Sequence, residues 1–298
     1  MMDLEKRKFG PLKVIPGKNQ GRYPYCHSIY IEEAGVLIDP GSDRERLQET
    51  KRDNGFQMTW LSHWHEDHLM HLDLLEDMPL WMSEQDAPPL SDIEIFLDWY
   101  GVKNEKDRAF WRNELKEKFH YRPRIPERFL RDGEKIDLGN VSVEVIRTPG
   151  HSPGHLAFFF REPQVLFLGD YDLTPFGPWY GDRYSSIEQP IDSIMRLKKS
   201  RAMVWLTCHE TGVIEGDLRT FFDDSLGVIQ SREDKLLELL KHPRTMEEIV
   251  DAWILYGRKR EPKELYAFSE QAHMQKHLEK LLKQDVIAFD GGRYHRIE

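Results

Sequence analysis

The rhythm of apolar and polar positions changes three times along the chain, and each change predicts a different kind of element. Residues 28–31 and 35–38 are two β-favouring runs joined by a short polar turn, a hairpin pattern that ends at Asp39-Pro40-Gly41. The mostly apolar run 56–62 reads as a further strand and leads straight into a cluster of histidines. Past that cluster, Leu69, Leu72 and Leu75 fall at helical spacing, so the cluster is expected in a strand-to-helix loop. Between about residues 83 and 131 the strand rhythm stops. Pro88-Pro89, the aromatic positions Phe96, Trp99 and Tyr100, and a charged helical stretch around 109–119 predict a helical insertion over one face.

Strand patterns return at 141–148, 155–160 and 164–170, then a helix pattern at 191–197 and an apolar strand at 202–210. The last part differs again. Helical segments at 231–241, 245–255 and 274–284 precede two short β runs around Asp290-Gly291-Gly292, and Thr245 with Glu248 three residues later forms a capping-box pattern. Three helices followed by a hairpin suggest a winged-helix-like tail over 226–298, appended to a catalytic domain over 1–225.

Charge sharpens that division. The 298 residues carry a net charge of −10, yet from Ser225 onward 13 basic side chains balance 13 acidic ones, so the whole excess lies before that point. An acidic chain opposes loose attachment to nucleic acid or to an anionic membrane. No apolar run approaches the roughly 20 residues needed to span a bilayer, and the start MMDLEKRKFG is charged without an apolar core behind it, so a cytoplasmic location is expected. Cys26 and Cys208 are the two cysteines, which rules out a disulfide framework or a cysteine-rich zinc site.

Candidate chemistry concentrates in Ser62-His63-Trp64-His65-Glu66-Asp67-His68. Imidazoles two apart in an extended segment face one side, and an Asp-His pair opening the next helix turns inward toward a second ion. This His-x-His-x-Asp-His pattern resembles the signature of the metallo-β-lactamase superfamily. Other segments resemble the family in order: Asp39-Pro40-Gly41 its early aspartate turn, Thr148-Pro149-Gly150-His151 its third histidine segment, Leu168-Gly169-Asp170 its bridging aspartate, and Thr207-Cys208-His209 its last histidine segment.

The resemblance implies an α/β fold, a four-layer αβ/βα sandwich. It also implies a dinuclear hydrolase in which His63, His65 and His151 hold one metal, Asp67, His68 and His209 the other, and Asp170 bridges both. Imidazole and carboxylate ligands suit two divalent ions, Zn²⁺ first, with iron or manganese as alternatives. The nucleophile implied is a hydroxide held between the ions, with Asp67 as the catalytic residue that orients it. His155 fits a non-ligand position of the family, and His71, one helical turn after His68, is read as a packing or supporting residue.

Within the superfamily, Thr148 to His155 followed by the apolar run 155–160 looks most like glyoxalase II, the hydroxyacylglutathione hydrolase type of thioesterase. The aromatic segment after Asp170 departs from that type, and Tyr171, Phe176, Trp179 and Tyr180 are candidates to wall a substrate pocket or to pack the insertion. The tail resembles that of the β-lactamase-like protein 2 group, which includes ribonucleases. Its last helix sets Lys276, Lys280 and Lys283 against Glu279, a modest positive face, so docking or a homodimer is expected of it rather than nucleic-acid reading. The first expectation for the whole chain is hydrolysis of a small-molecule thioester or related ester. A metal-dependent phosphodiesterase or ribonuclease is the alternative, and a mononuclear iron enzyme like the persulfide dioxygenases is the second alternative, opposed by the complete second ligand set.

Overall fold

The computed structural model describes residues 7–261 and 263–297; the charged start Met1 to Lys6 lies outside them. Two β-sheets face each other. The first has seven strands in sequence order: β1 (Lys8–Phe9), β2 (Leu12–Ile15), β3 (Ser28–Ile31), β4 (Val36–Ile38), β5 (Met58–Trp60), β6 (Leu80–Met82) and β7 (Arg128–Phe129). The second holds β8 (Lys135–Asp137), β9 (Ser142–Arg147), β10 (Leu156–Phe160), β11 (Val165–Phe167), β12 (Val204–Leu206) and β13 (Val213–Glu215), in the reverse order β13 to β8.

Strand alternation explains the layers. Ile29, Ile31, Val36 and Ile38 from the first sheet share one buried cluster with Phe158, Phe160, Val165 and Phe167 from the second. The intervening residues point the other way: Tyr30 and Leu37 join Leu47 of helix α1 (Arg44–Asn54), whereas Ala157 and Leu166 pack under α6 (Glu188–Leu197) and α7 (Arg219–Leu239) through Ile194, Leu197, Phe222 and Ile229. The result is the expected αβ/βα sandwich with helices outside both sheets.

The insertion begins as expected. A 3-10 turn (Glu84–Asp86) is followed by α3 (Pro88–Ser91), α4 (Ile93–Tyr100) and α5 (Glu105–Glu117), after a short helix α2 (Glu66–Leu69) behind the histidine cluster. Its end differs, because β7 adds to the edge of the first sheet, parallel to β6. Two residues are too few to show a period of two. What fixes them is the backbone bonds from Glu127 N–H to Leu80 O and from Leu130 N–H to Met82 O, with the Arg128 guanidinium 4.3 Å above the Trp81 ring.

In the C-terminal part, α7 runs unbroken through residue 225, so the expected division falls inside a helix. It is followed by α8 (Met246–Val250), α9 (Lys263–Lys283) and a hairpin of β14 (Ile287–Asp290) and β15 (Arg293–Arg296). The capping box of Thr245 and Glu248 is formed at the start of α8. The helix stops well short of residue 255: the chain tightens through Ala252 N–H to Ile249 O and Trp253 N–H to Val250 O, Trp253 turns left-handed at φ 54°, and the N–H groups of Leu255 and Tyr256 are then taken by the Glu270 carboxylate of α9. Among the described residues no helix is long and apolar enough to cross a membrane.

At one end the two sheets are stitched together by backbone bonds, from Leu156 N–H to Ser62 O at 2.8 Å and from His27 N–H to Cys208 O at 2.6 Å. At that end lie the segments leaving β4, β5, β9, β11 and β12. Gly41 shows how tightly they meet: a Cβ there would sit 1.6 Å from the Asp67 carbonyl oxygen. Gly41→Ala is therefore expected to lower the unfolding free energy by about 3 kcal/mol, as overpacking against backbone does. Gly227→Ala, in the middle of α7 with open space around it, should raise it by about 1 kcal/mol. Urea denaturation of the two variants checks both signs.

Candidate metal centre

Five histidines and two aspartates from across the chain converge where the sheets are stitched. His63 Nε2, His65 Nδ1 and His151 Nε2 form a triangle with sides of 3.1, 2.8 and 3.1 Å. Next to it, Asp67 Oδ2 lies 3.8 Å from His68 Nε2 and 3.4 Å from His209 Nε2. Asp170 stands between the two groups. Its Oδ2 is 3.2 Å from His151 Nε2 and 3.9 Å from His63 Nε2, and its Oδ1 is 3.0 Å from His68 Nε2 and 3.3 Å from His209 Nε2. All seven residues singled out from the sequence thus meet at one place.

The far nitrogens determine what the near ones can do. Carboxylates and carbonyls only accept, so the imidazole facing each must donate. His68 donates Nδ1–H to Asp39 Oδ2 (3.1 Å), His65 donates Nε2–H to Asp182 (3.0 Å), and His209 donates Nδ1–H to the Gly21 and Tyr25 carbonyls (2.6 and 3.0 Å). The Ser62 hydroxyl gives its own proton to Asp39 and so accepts Nδ1–H of His63 at 2.9 Å. In the neutral tautomers these bonds select, His63, His65, His68 and His209 turn lone pairs inward, toward one another.

Lone pairs crowded to about 3 Å repel unless a positive charge sits among them. His68 Nε2 and Asp170 Oδ1 are 3.0 Å apart, yet both are buried without a hydrogen-bond partner, the relation expected of two ligands of one ion rather than of donor and acceptor. The donor set, imidazole nitrogen and carboxylate oxygen, suits divalent ions such as zinc. The electrostatic surroundings differ from ring to ring. Burial and the neighbouring imidazoles push His63 and His151 well below the ordinary histidine range. Burial disfavours charge on His68 and His209 as well, but the Asp170 carboxylate overrides it and raises both. Asp170 itself is held well below the usual carboxylate range by His68 and His209 despite its burial.

The remaining expected residues fall around this centre. His155 lies beside it and accepts the backbone N–H of Asp170 on Nε2 while Nδ1 meets Thr148 Oγ1. Gly169 makes room for that ring, since a Cβ would be 2.4 Å from His155 Nε2. His71 is apart, its Nδ1 facing Arg44 and its ring beside His120. Cys26 and Cys208 are buried free thiols. Of the four aromatic candidates for a pocket wall, Tyr171 and Tyr180 are buried with hydroxyls engaged, Tyr171 donating to Pro149 O. Trp179 is half-buried with Nε1–H on Asp182, and Phe176 is exposed against Tyr256. In the insertion, Trp99 packs edge-on to Trp64, and Tyr100 stacks on His65 and donates to Glu66.

Three supporting carboxylates were not singled out from the sequence. Asp182 binds His65 from 117 positions away. Asp86, in the first turn of the insertion, accepts from the Ser152 hydroxyl and from Gly154 N–H and so pins the loop bearing His151. Asp172 accepts His209 N–H at 2.9 Å. Lone aspartates far along the chain from their partners belong to no spacing pattern; Asp172 alone, two residues from Asp170, could have been suspected.

Residues 21–209 match the family model described as the metallo-beta-lactamase superfamily, a span that contains all seven converging residues. The chain belongs to the metallo-beta-lactamase superfamily. Among superfamily relatives, hydroxyacylglutathione hydrolase GloC of Haemophilus influenzae is 29% identical over 49% of this chain and 65% of its own length. Acyl-coenzyme A thioesterase MBLAC2 of Gallus gallus is 30% identical over 56% of this chain and 57% of its own length. The chain thus spans less than two thirds of either relative. A crystal structure of a metallo-beta-lactamase family protein, TTHA1429 from Thermus thermophilus, superposes with a TM-score of 0.73 at 26% identity, covering 96% of this chain and 99% of that one. That similarity extends over the C-terminal helices, which the superfamily match leaves out.

Asp39 is fully buried and its carboxylate takes the N–H and hydroxyl of Ser62 as well as His68 Nδ1–H. Asp39→Asn would turn an amide NH₂ against one of those donors. It is expected to cost about 3 kcal/mol in a urea unfolding measurement with chelator present.

Proposed function

We propose that this superfamily member is a dinuclear metal-dependent hydrolase of a thioester or related ester. His63, His65 and His151 hold one ion, Asp67, His68 and His209 the other, and Asp170 is shared. The observation that carries the reading is the pair of donor trios facing the two oxygens of one carboxylate. Zinc fits the nitrogen-rich first trio and the mixed second one. Divalent ions held there would supply Lewis acidity and lower the pKa of a bound water toward neutrality.

The chain's own residues do the rest. Asp39, Ser62, Asp182 and the Gly21 and Tyr25 carbonyls keep the imidazoles aimed, so little rearrangement is needed during turnover. The Asp67 carboxylate, buried beside His209, accepts a hydrogen bond from the attacking water and orients it toward the substrate carbonyl. No side-chain nucleophile is required, and Cys26 and Cys208 are both fully buried. The two relatives, one named a hydroxyacylglutathione hydrolase and the other an acyl-coenzyme A thioesterase, support an acyl substrate over a phosphodiester. The tail of this chain has equal numbers of basic and acidic side chains, which also favours a small molecule over RNA.

Protein purified without chelator is expected to contain close to two ions per chain. Removing them with EDTA should lower Tm by several degrees, since a ligand at a hundred times its Kd adds about 2.7 kcal/mol per site. The activity test is a panel of S-lactoylglutathione, acyl-CoA thioesters, a bis-aryl phosphodiester and single-stranded RNA. Thioester turnover should fall by about a thousandfold in His63→Ala. Turnover of the phosphodiester alone, lost in the same variant, would reassign the centre to phosphoryl transfer.

A further inference from the structure

Asp182 is buried beside the first donor trio, and its carboxylate accepts two hydrogen bonds, from His65 Nε2–H at 3.0 Å and from Trp179 Nε1–H at 3.0 Å. It belongs to the stretch 171–184 that leaves Asp170 and has neither helix nor strand of its own. An irregular segment cannot hold a carboxylate to a few tenths of an ångström unless something else holds the segment.

What holds it is the C-terminal part of the chain. The Trp179 ring stands edge-on to His273 of α9 at 4.4 Å, and Tyr180 N–H points at His273 Nε2. The Tyr180 hydroxyl accepts from Arg232 of α7 and meets His277 of α9, both at 3.0 Å. Arg232 also donates to the carbonyls of Phe176 and Pro178, and Lys276 to that of Arg183. Gly181 lets α9 come close, since a Cβ there would be 3.0 Å from Ala272 Cβ.

The character of this contact matters as much as its extent. Arg232, His273, Lys276 and His277 are all buried, and much of their hydrogen bonding goes to residues 176–183. Buried polar side chains are costly unless paired, so a seam built from them has one satisfied register, whereas a seam of aliphatic side chains could slide. Such a seam is suited to fixing a position.

We propose that the C-terminal helices are a working part of the metal centre: α7 and α9 hold Trp179 and Asp182 so that Asp182, a positioning residue, sets the tautomer and tilt of His65. This rests on the reading of His65 as a metal ligand. It assigns the tail a role toward the first trio that needs neither RNA nor a second copy of the chain. Loss of a carboxylate behind a metal-bound imidazole weakens binding by about 10–100-fold, so the tail should be felt as metal affinity at one site.

The test uses the full-length chain, stripped of metal and titrated with Co²⁺ against a chromophoric chelator, with the visible ligand-field spectrum recorded at each addition. Asp182→Ala is expected to weaken one of the two Co²⁺ sites by about 10–100-fold. Trp179→Phe, which keeps the ring and loses the bond to Asp182, and His273→Leu should weaken the same site less and shift its absorption bands. The other site should be unchanged in all three. Thermal unfolding in chelator separates a folding defect from an affinity defect, because a merely structural role lowers apo stability and leaves the spectrum of the folded fraction as in the parent. Wild-type affinity and spectrum in Asp182→Ala and Trp179→Phe would overturn the proposal. If His65→Ala itself retains both ions with parental affinity, it is the ligand reading that fails instead.

Discussion

Everything in this centre hangs on the Asp39 carboxylate. It sits at the end of β4, with its backbone in the left-handed region at φ 54°, and is sealed from water. A buried carboxylate is tolerable only when its lone pairs are filled, and here Ser62 fills two sites and His68 a third. Through Ser62 it also dictates which nitrogen of His63 carries the proton. One anion at the end of one strand therefore sets a histidine in each donor trio. The strand itself is placed by the alternation of Val36 and Ile38 into the core and Leu37 toward α1.

Around that anchor, opposing electrostatic demands are balanced locally. Five imidazoles and two carboxylates share one small volume, and the shifts run in opposite directions on neighbouring rings. His63 and His151 resist protonation, whereas His68 and His209 favour it because Asp170 faces them. His68 Nε2 and Asp170 Oδ1 nevertheless remain without a hydrogen-bond partner 3.0 Å apart.

How much of this could be read from the sequence follows from physical range. The strand alternation, the capping box of Thr245 and Glu248, and the His-x-His-x-Asp-His run are local patterns, and local patterns survive in a linear text. The joining of seven residues from four strand ends was legible through resemblance to the superfamily, since no periodicity links His65 to His151 or Asp170. Three features stayed hidden. β7 is two residues long, and a period needs more. The stretch after α8 turns left-handed at Trp253 and gives the N–H groups of Leu255 and Tyr256 to Glu270, a side chain on another helix. Asp182 and Asp86 are single residues whose partners lie far along the chain. The aromatic stretch after Asp170 read ambiguously because aromatic residues serve packing and binding alike; contacts resolve Tyr171 and Tyr180 into packing.

The stitch between the sheets has a consequence in time as well as in space. The bond from His27 to Cys208 closes a loop of some 180 residues, and Leu156 with Ser62 closes another of more than 90. Loops of that size form late, after their entropy has been met by other contacts. During synthesis the histidine run 63–68 emerges long before His151, Asp170 and His209, so a newly made chain offers a few loose imidazoles rather than a finished site. Whatever ions the growing chain meets find only weak, exchangeable ligands. The seven residues thus come together only when the molecule is nearly whole.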